Sequence, residues 1–183
     1  MAKNITIKDD TSGYDRLTGE LQKLRGATLV VGVISDKEHS EGSEITLKEL
    51  AAVHEYGVTI KVTDAMRGFF AAVGYPLSPD TTTIDIPERS FIRRTADKKK
   101  DQIRRDGKKL LQQLVQGRLS AQGLMDKLGT LVVSMIQQTI DEVDSPALSQ
   151  MTKDLRSGES GGESPLQDTG RLWQSIDYEV RWS

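Results

Sequence analysis

The sequence predicts an α+β fold: a small, mostly antiparallel sheet packed with two long C-terminal-half helices, an elaborated hairpin and long flexible loops. Three observations predict it. Ala27–Ile34 (ATLVVGVI) is a nearly continuous apolar, β-branched run of strand length, the pattern of a buried central strand. Leu124, Leu128, Leu131, Val132, Met135, Ile136, Ile140 and Val143 fall on one face of a helix. At the far end Ile176, Tyr178, Val180 and Trp182 alternate with polar residues, which predicts a half-buried strand over Ser175–Trp182 completing the sheet begun at Ala27.

The remaining elements follow in chain order. Asn4–Lys8 alternates loosely and predicts a short strand. Tyr14, Leu17, Leu21 and Leu24 stand at helical spacing, with Thr11 or Ser12 as the cap and Gly26 as the stop. After a charged loop over Ser35–Glu44, Leu47, Leu50, Ala51 and His54 predict a short helix capped by Thr46 and ended at Gly57. Val58–Val62 and Thr82–Ile86 read as the strands of a hairpin whose tip carries a helix with Phe69 and Phe70. Two adjacent phenylalanines on one peripheral helix cannot both reach the same small core, so one is expected on a neighbouring subunit. Pro87 suits a helix entry, where its missing N–H is tolerated, and a sparse apolar stripe from Phe91 to Val115 predicts a long helix behind it. Ser120 is the expected cap of the strongly amphipathic helix that follows. Residues 144–169 hold two prolines and many serines and glycines, and are expected to form a flexible loop, Ser157–Glu163 above all.

Composition narrows the function. The 183 residues are enough for one domain with an elaborated arm. A hydrophobic share of 36% implies a modest core, its burial completed on assembly. With no cysteine, disulfides and thiolate metal sites are excluded. Met1–Asp10 has no apolar segment of the signal-peptide kind, and no window approaches the about 18 apolar residues of a bilayer span. A protein made in a reducing cytoplasm, with no membrane partner, is the expectation.

Catalytic chemistry finds no support. His54-Glu55 begins an HExxH pattern, but Val58 stands where the second imidazole must be, and the other histidine is the distant His39. The serines lack a GxSxG turn, and the glycines of 157–162 lack the Gly-Lys-Ser/Thr of a phosphate loop. No catalytic residue, metal or cofactor is expected.

Charge is uneven. From Glu88 to Lys109 ten basic residues face four acidic ones, giving +6, so with a net charge of −2 the rest of the chain carries −8. Such a face fits either DNA phosphates, with salt-sensitive affinity, or the acidic face of the next subunit. The subunit reading is preferred because base-reading proteins add a recognisable motif and a globally basic surface.

Three segments then bear on identity: Glu49–Gly57 (ELAAVHEYG), Ile86–Arg93 (IPERSFIR) and Pro165–Ile176 (PLQDTGRLWQSI). Together, in this order, they resemble the tail-completion, or neck, proteins of long-tailed bacteriophages, also described as virion morphogenesis or head–tail joining proteins. The resemblance runs from about residue 28 to 182, and order and spacing carry it more than any one motif.

The resemblance implies a non-enzymatic virion protein forming a ring, typically hexameric, where the tail meets the head-side connector. Its neighbours would be a portal-side adaptor or head-closure protein and a tail terminator or tail tube protein, with packaged DNA close by. Tail terminator and head-closure protein are the nearest alternative roles. In this scheme Tyr56, Gly57, Pro87, Phe91, Asp168, Gly170 and Trp173 maintain the fold. Phe69, Phe70, Arg89, Arg93, Arg94, Lys98, Lys99, Arg104 and Arg105 are the expected contacts with subunits or neighbours. One or both of the arm at 63–81 and the loop at 144–169, the latter with Leu148 and Met151 as anchors, are expected to order on assembly.

Overall fold

The computed structural model describes residues 11–34, 45–156, 165–166 and 170–183. The elements run α1 (Ser12–Arg25), β1 (Ala27–Val33), α2 (Leu47–Tyr56), β2 (Val58–Lys61), α3 (Asp64–Ala72), β3 (Thr83–Ile86), α4 (Ile92–Val115), α5 (Ala121–Glu142), α6 (Gln150–Leu155), α7 (Arg171–Gln174) and β4 (Ile176–Trp182). The fold is α+β, with two antiparallel sheets of two strands each.

Local chemistry sets most boundaries. Thr46 caps α2 through a reciprocal box: its hydroxyl accepts from Glu49 N, while the Glu49 carboxylate accepts from Thr46 N at 2.8 Å. Thr63 and Ser120 cap α3 and α5 by accepting from Met66 N and Gly123 N. Gly57 ends α2 at φ +68, and a Cβ there would lie 2.9 Å from Ile86 O. Only glycine fits that turn into β2.

The apolar residues of α5 organise the interior. Toward its C-terminal end Ile136, Ile140 and Val143 pack with Phe91, Ala51, Leu166, Leu172 and Ile176. Toward its start Leu124, Met125 and Ala121 meet Leu114, with Leu17, Leu24, Leu29 and Val180 against them. Each fully buried side chain of this size contributes about 1.5–3 kcal/mol. The hydroxyls of Thr95 on α4 and Thr139 on α5 lie 2.7 Å apart, satisfying each other inside the helix pair. β1 and β4 lie over α5 in the register Ala27↔Trp182 through Val33↔Ile176. They approach closely at Gly129, where a Cβ would sit 2.4 Å from the Tyr178 ring.

Several expectations need correction. The long helix does not begin behind Pro87: Pro87 is exposed, Glu88–Ser90 are non-helical, and α4 starts at Ile92 with Phe91 as its N-cap residue. A buried carboxylate from α2, described below, fixes that start. β1 is not a central strand. It has one partner, β4, and among the described residues no strand lies on its other edge. Its apolar run reflects the face it lays on α5. The 144–169 segment is not loop throughout, because Ser149 accepts from Thr152 N and caps the short α6. Asn4–Lys8, Ser157–Glu163 and Asp168 lie outside the described residues.

Candidate interaction site

The root of the hairpin is held by one side chain. Leu47, Ala51 and Glu55 lie four residues apart on the buried face of α2, so Glu55 is carried inward and is 5% exposed. Its carboxylate accepts from Ser90 Oγ at 2.9 Å, from Phe91 N at 2.7 Å and from Ile92 N, and it meets Arg93 Nε at 3.2 Å. The free N–H groups that open α4 thus find a negative charge at the positive end of the helix dipole. Arg93 completes the clamp: it donates to Glu55 O and to Glu88 Oε1 (2.9 Å), and its guanidinium lies 4.7 Å from the Tyr56 ring centroid. His54 O accepts from Arg89 N at 2.8 Å beside it.

From this clamp the arm leaves as β2 and returns as β3, paired Val58↔Ile86 through Lys61↔Thr83, with α3 at its tip. Val58 and Ile60 are each 37% exposed and Phe69 is 58% exposed, its ring edge-on to Phe70 at 5.5 Å. Arg67 ties the tip together by donating to Ser78 O and Thr81 O at 2.9 and 2.6 Å. One strut joins the arm to α6: the Tyr75 hydroxyl donates to the Asp154 carboxylate, which holds that carboxyl below its ordinary range and pushes the tyrosine up. Between hairpin and α6 lies a cleft of about 630 Å³, lined by Ile84, Ile86, Leu148, Met151, Leu166 and Leu172 among others.

The expected contact residues divide. Phe69 is open to solvent and Phe70 is half-buried behind it. On α4, Lys98, Arg104 and Arg105 are exposed, Arg94 is half-buried, and Lys99 donates to Gln138 at 3.2 Å. Arg104 lies 4.0 Å from Asp101, an exposed pair worth little. Arg89 is not on this face. It is 5% exposed and donates to Pro146 O and Ala147 O at 2.7 and 3.1 Å, pinning the segment after α5. Burial, then the charge of Arg156, lowers its pKa, yet an arginine stays charged there. Arg93 is spent within its own chain on Glu55 and Glu88. Burial takes Arg89 off the contact surface, whereas Arg93, paired as it is, keeps 47% of its side chain exposed and stays on it.

Among the fold-maintaining positions, Phe91 is fully buried, Tyr56 stacks on Arg93, and Gly170 begins α7 at φ +71. Leu172 is buried, whereas Trp173 is 37% exposed, its carbonyl accepting from Gln137. Sequence reasoning passed over Glu55, weighing it only beside His54 as a metal motif. The available signal was its spacing, a carboxylate in register with Leu47 and Ala51 on an apolar face. Among the described residues no helix is long and apolar enough to cross a membrane. Set against family models, curated proteins and solved structures, the chain matches none of them.

Proposed function

We propose that this chain is a structural protein of the bacteriophage neck, assembling into a ring, hexameric in the resembled family, that completes the tail and joins it to the head-side connector. It has no catalytic role in this reading. One observation carries the proposal furthest: the arm from Val58 to Ile86 leaves Val58, Ile60 and Phe69 exposed and borders a largely apolar cleft through Ile84 and Ile86, while α5 behind it is packed. Isolated, such an arm forgoes burial that a neighbour supplies. The three segments that resemble those of neck proteins support a place of assembly beside a portal-side adaptor or head-closure protein and a tail terminator or tail tube protein.

The test has two parts. Sedimentation of the purified chain is expected to show a closed oligomer, and particles made without it are expected to be filled heads and separate tails. Infectious particles lacking the chain would refute the assignment. Tails of uncontrolled length, or heads that lose their DNA, would move it to the tail terminator or head-closure role. A second reading, a DNA-binding module, is favoured only by the exposed cations of α4. Salt-dependent duplex binding abolished by Lys98→Ala with Arg105→Ala would support it.

A further inference from the structure

We infer that the open edge of β1 pairs with the open edge of β4 of a second copy of this chain, one kind of contact joining the two-stranded sheets into a continuous sheet. This rests on the ring reading above and names the contact that closes the ring.

The backbone supplies the argument. Ser183 N donates to Gly26 O at 3.0 Å, and the ladder runs on from there in the register Ala27↔Trp182. In an antiparallel pair, directly opposed residues alternate between bonded and non-bonded pairs. Thr28, Val30 and Gly32 therefore spend their N–H and C=O groups on β4. Those of Ala27, Leu29, Val31 and Val33 point the other way. On β4 the outward groups belong to Ile176, Tyr178, Val180 and Trp182; of these the Tyr178 N–H already donates to Asp177 Oδ1 at 2.8 Å, a surface contact that a pairing strand must displace. No strand among the described residues takes up either row.

An exposed edge of this length is normally blunted by proline, lysine, a bulge or a covering element. β1 contains neither proline nor a charged residue, and is β-branched at four of its seven positions (Thr28, Val30, Val31, Val33). It is built to be paired. The partner follows by elimination among copies of the chain. Two β1 edges together would satisfy β1 and leave β4 open. Two β4 edges paired about their centre would set Glu179 opposite Glu179, a like-charge pair. A β1 edge against the next copy's β4 edge takes up the β1 row and, once Asp177 releases the Tyr178 N–H, the β4 row with one contact. It also lays Asp177, Glu179 and Arg181 beside the uncharged Thr28, Val30 and Gly32. Because the two edges differ, the contact is head-to-tail, the kind that generates rings when the rotation closes.

The absence of native cysteine makes the test clean. A Val30→Cys chain is mixed in turn with Asp177→Cys, Glu179→Cys and Arg181→Cys chains, mid-strand positions on the sheet face away from α5, and oxidised. Neither partner can cross-link within itself. At least one mixture is expected to give a disulfide dimer on a non-reducing gel, absent from each variant alone. Leu29→Pro removes an outward N–H and also the Leu29 side chain packed beneath the sheet, so it is compared with Leu29→Ala, which removes the side chain alone; the proline chain is expected to need at least tenfold more protein than the alanine chain to form rings. Cross-linking of Val30→Cys only with itself overturns the inference. So does the absence of any cross-link in rings that still form; the ring reading then survives. A wild-type chain that stays monomeric at all concentrations removes both.

Discussion

β1 with β4 and β2 with β3 are both antiparallel pairs of β-branched character, yet the chain treats them differently. The first pair lays Val31, Val33, Ile176 and Val180 on the two core clusters that α5 organises. The second has the same kind of stripe, Val58 and Ile60 opposite Ile86 and Ile84, but faces a cleft and solvent. Two strands alone are marginal in water unless a layer is packed on them. The first pair has its layer, whereas the arm rests on the Glu55 clamp and the Tyr75–Asp154 strut. Difference in burial, not in propensity, separates the packed scaffold from the proposed contact surface.

That contrast can be broken most severely in the scaffold. Phe91→Ala empties a fully buried site between α2, α5 and β4 and is expected to cost about 4 kcal/mol in urea unfolding. Next comes the clamp. Glu55→Ala leaves the first N–H groups of α4 and the Arg93 guanidinium without their acceptor, an expected loss of about 3 kcal/mol, with hydrogen exchange rising first at Phe91 to Arg93. A smaller effect depends on pH. The Ala121 N–H, then Lys23, hold the Glu20 carboxyl below its ordinary range, so the contact stabilises the fold above that range and is lost as pH falls through the lowered value. Glu20→Gln is expected to lower Tm at pH 7 and to converge on wild type as acid protonates the Glu20 carboxyl below its ordinary range. At the arm, Phe69→Ser is expected to change chain stability by less than about 0.5 kcal/mol while weakening self-association in sedimentation. A large loss of stability there would erase the distinction between the two regions.

The sequence made the amphipathic elements legible because their signals are local. The α5 repeat, the Thr46 and Ser120 caps, the turn at Gly57 and the hairpin with its helix all stand as read. What it concealed is set by residues far along the chain. The start of α4 depends on Glu55, 36 residues before Phe91, and a proline motif pointed to the wrong place. The burial of Arg89 depends on carbonyls 57 and 58 residues away. β1 misled for another reason: apolar composition reports which faces are covered and is silent about which edges are paired. Of the candidate site, the exposure of Phe69 and of Lys98, Arg104 and Arg105 was legible, since isolated aromatic and charged residues on amphipathic helices have few other places to go.

The clamp at the arm's root also has a mechanical side. Tyr56 ends the helix before the arm and Arg93 begins the helix after it, and the two stack on each other across the stem. α4 is a 24-residue rod, about 36 Å long. A pull on the hairpin tip is therefore delivered to one end of a stiff lever whose far end lies beside α1 and the start of α5.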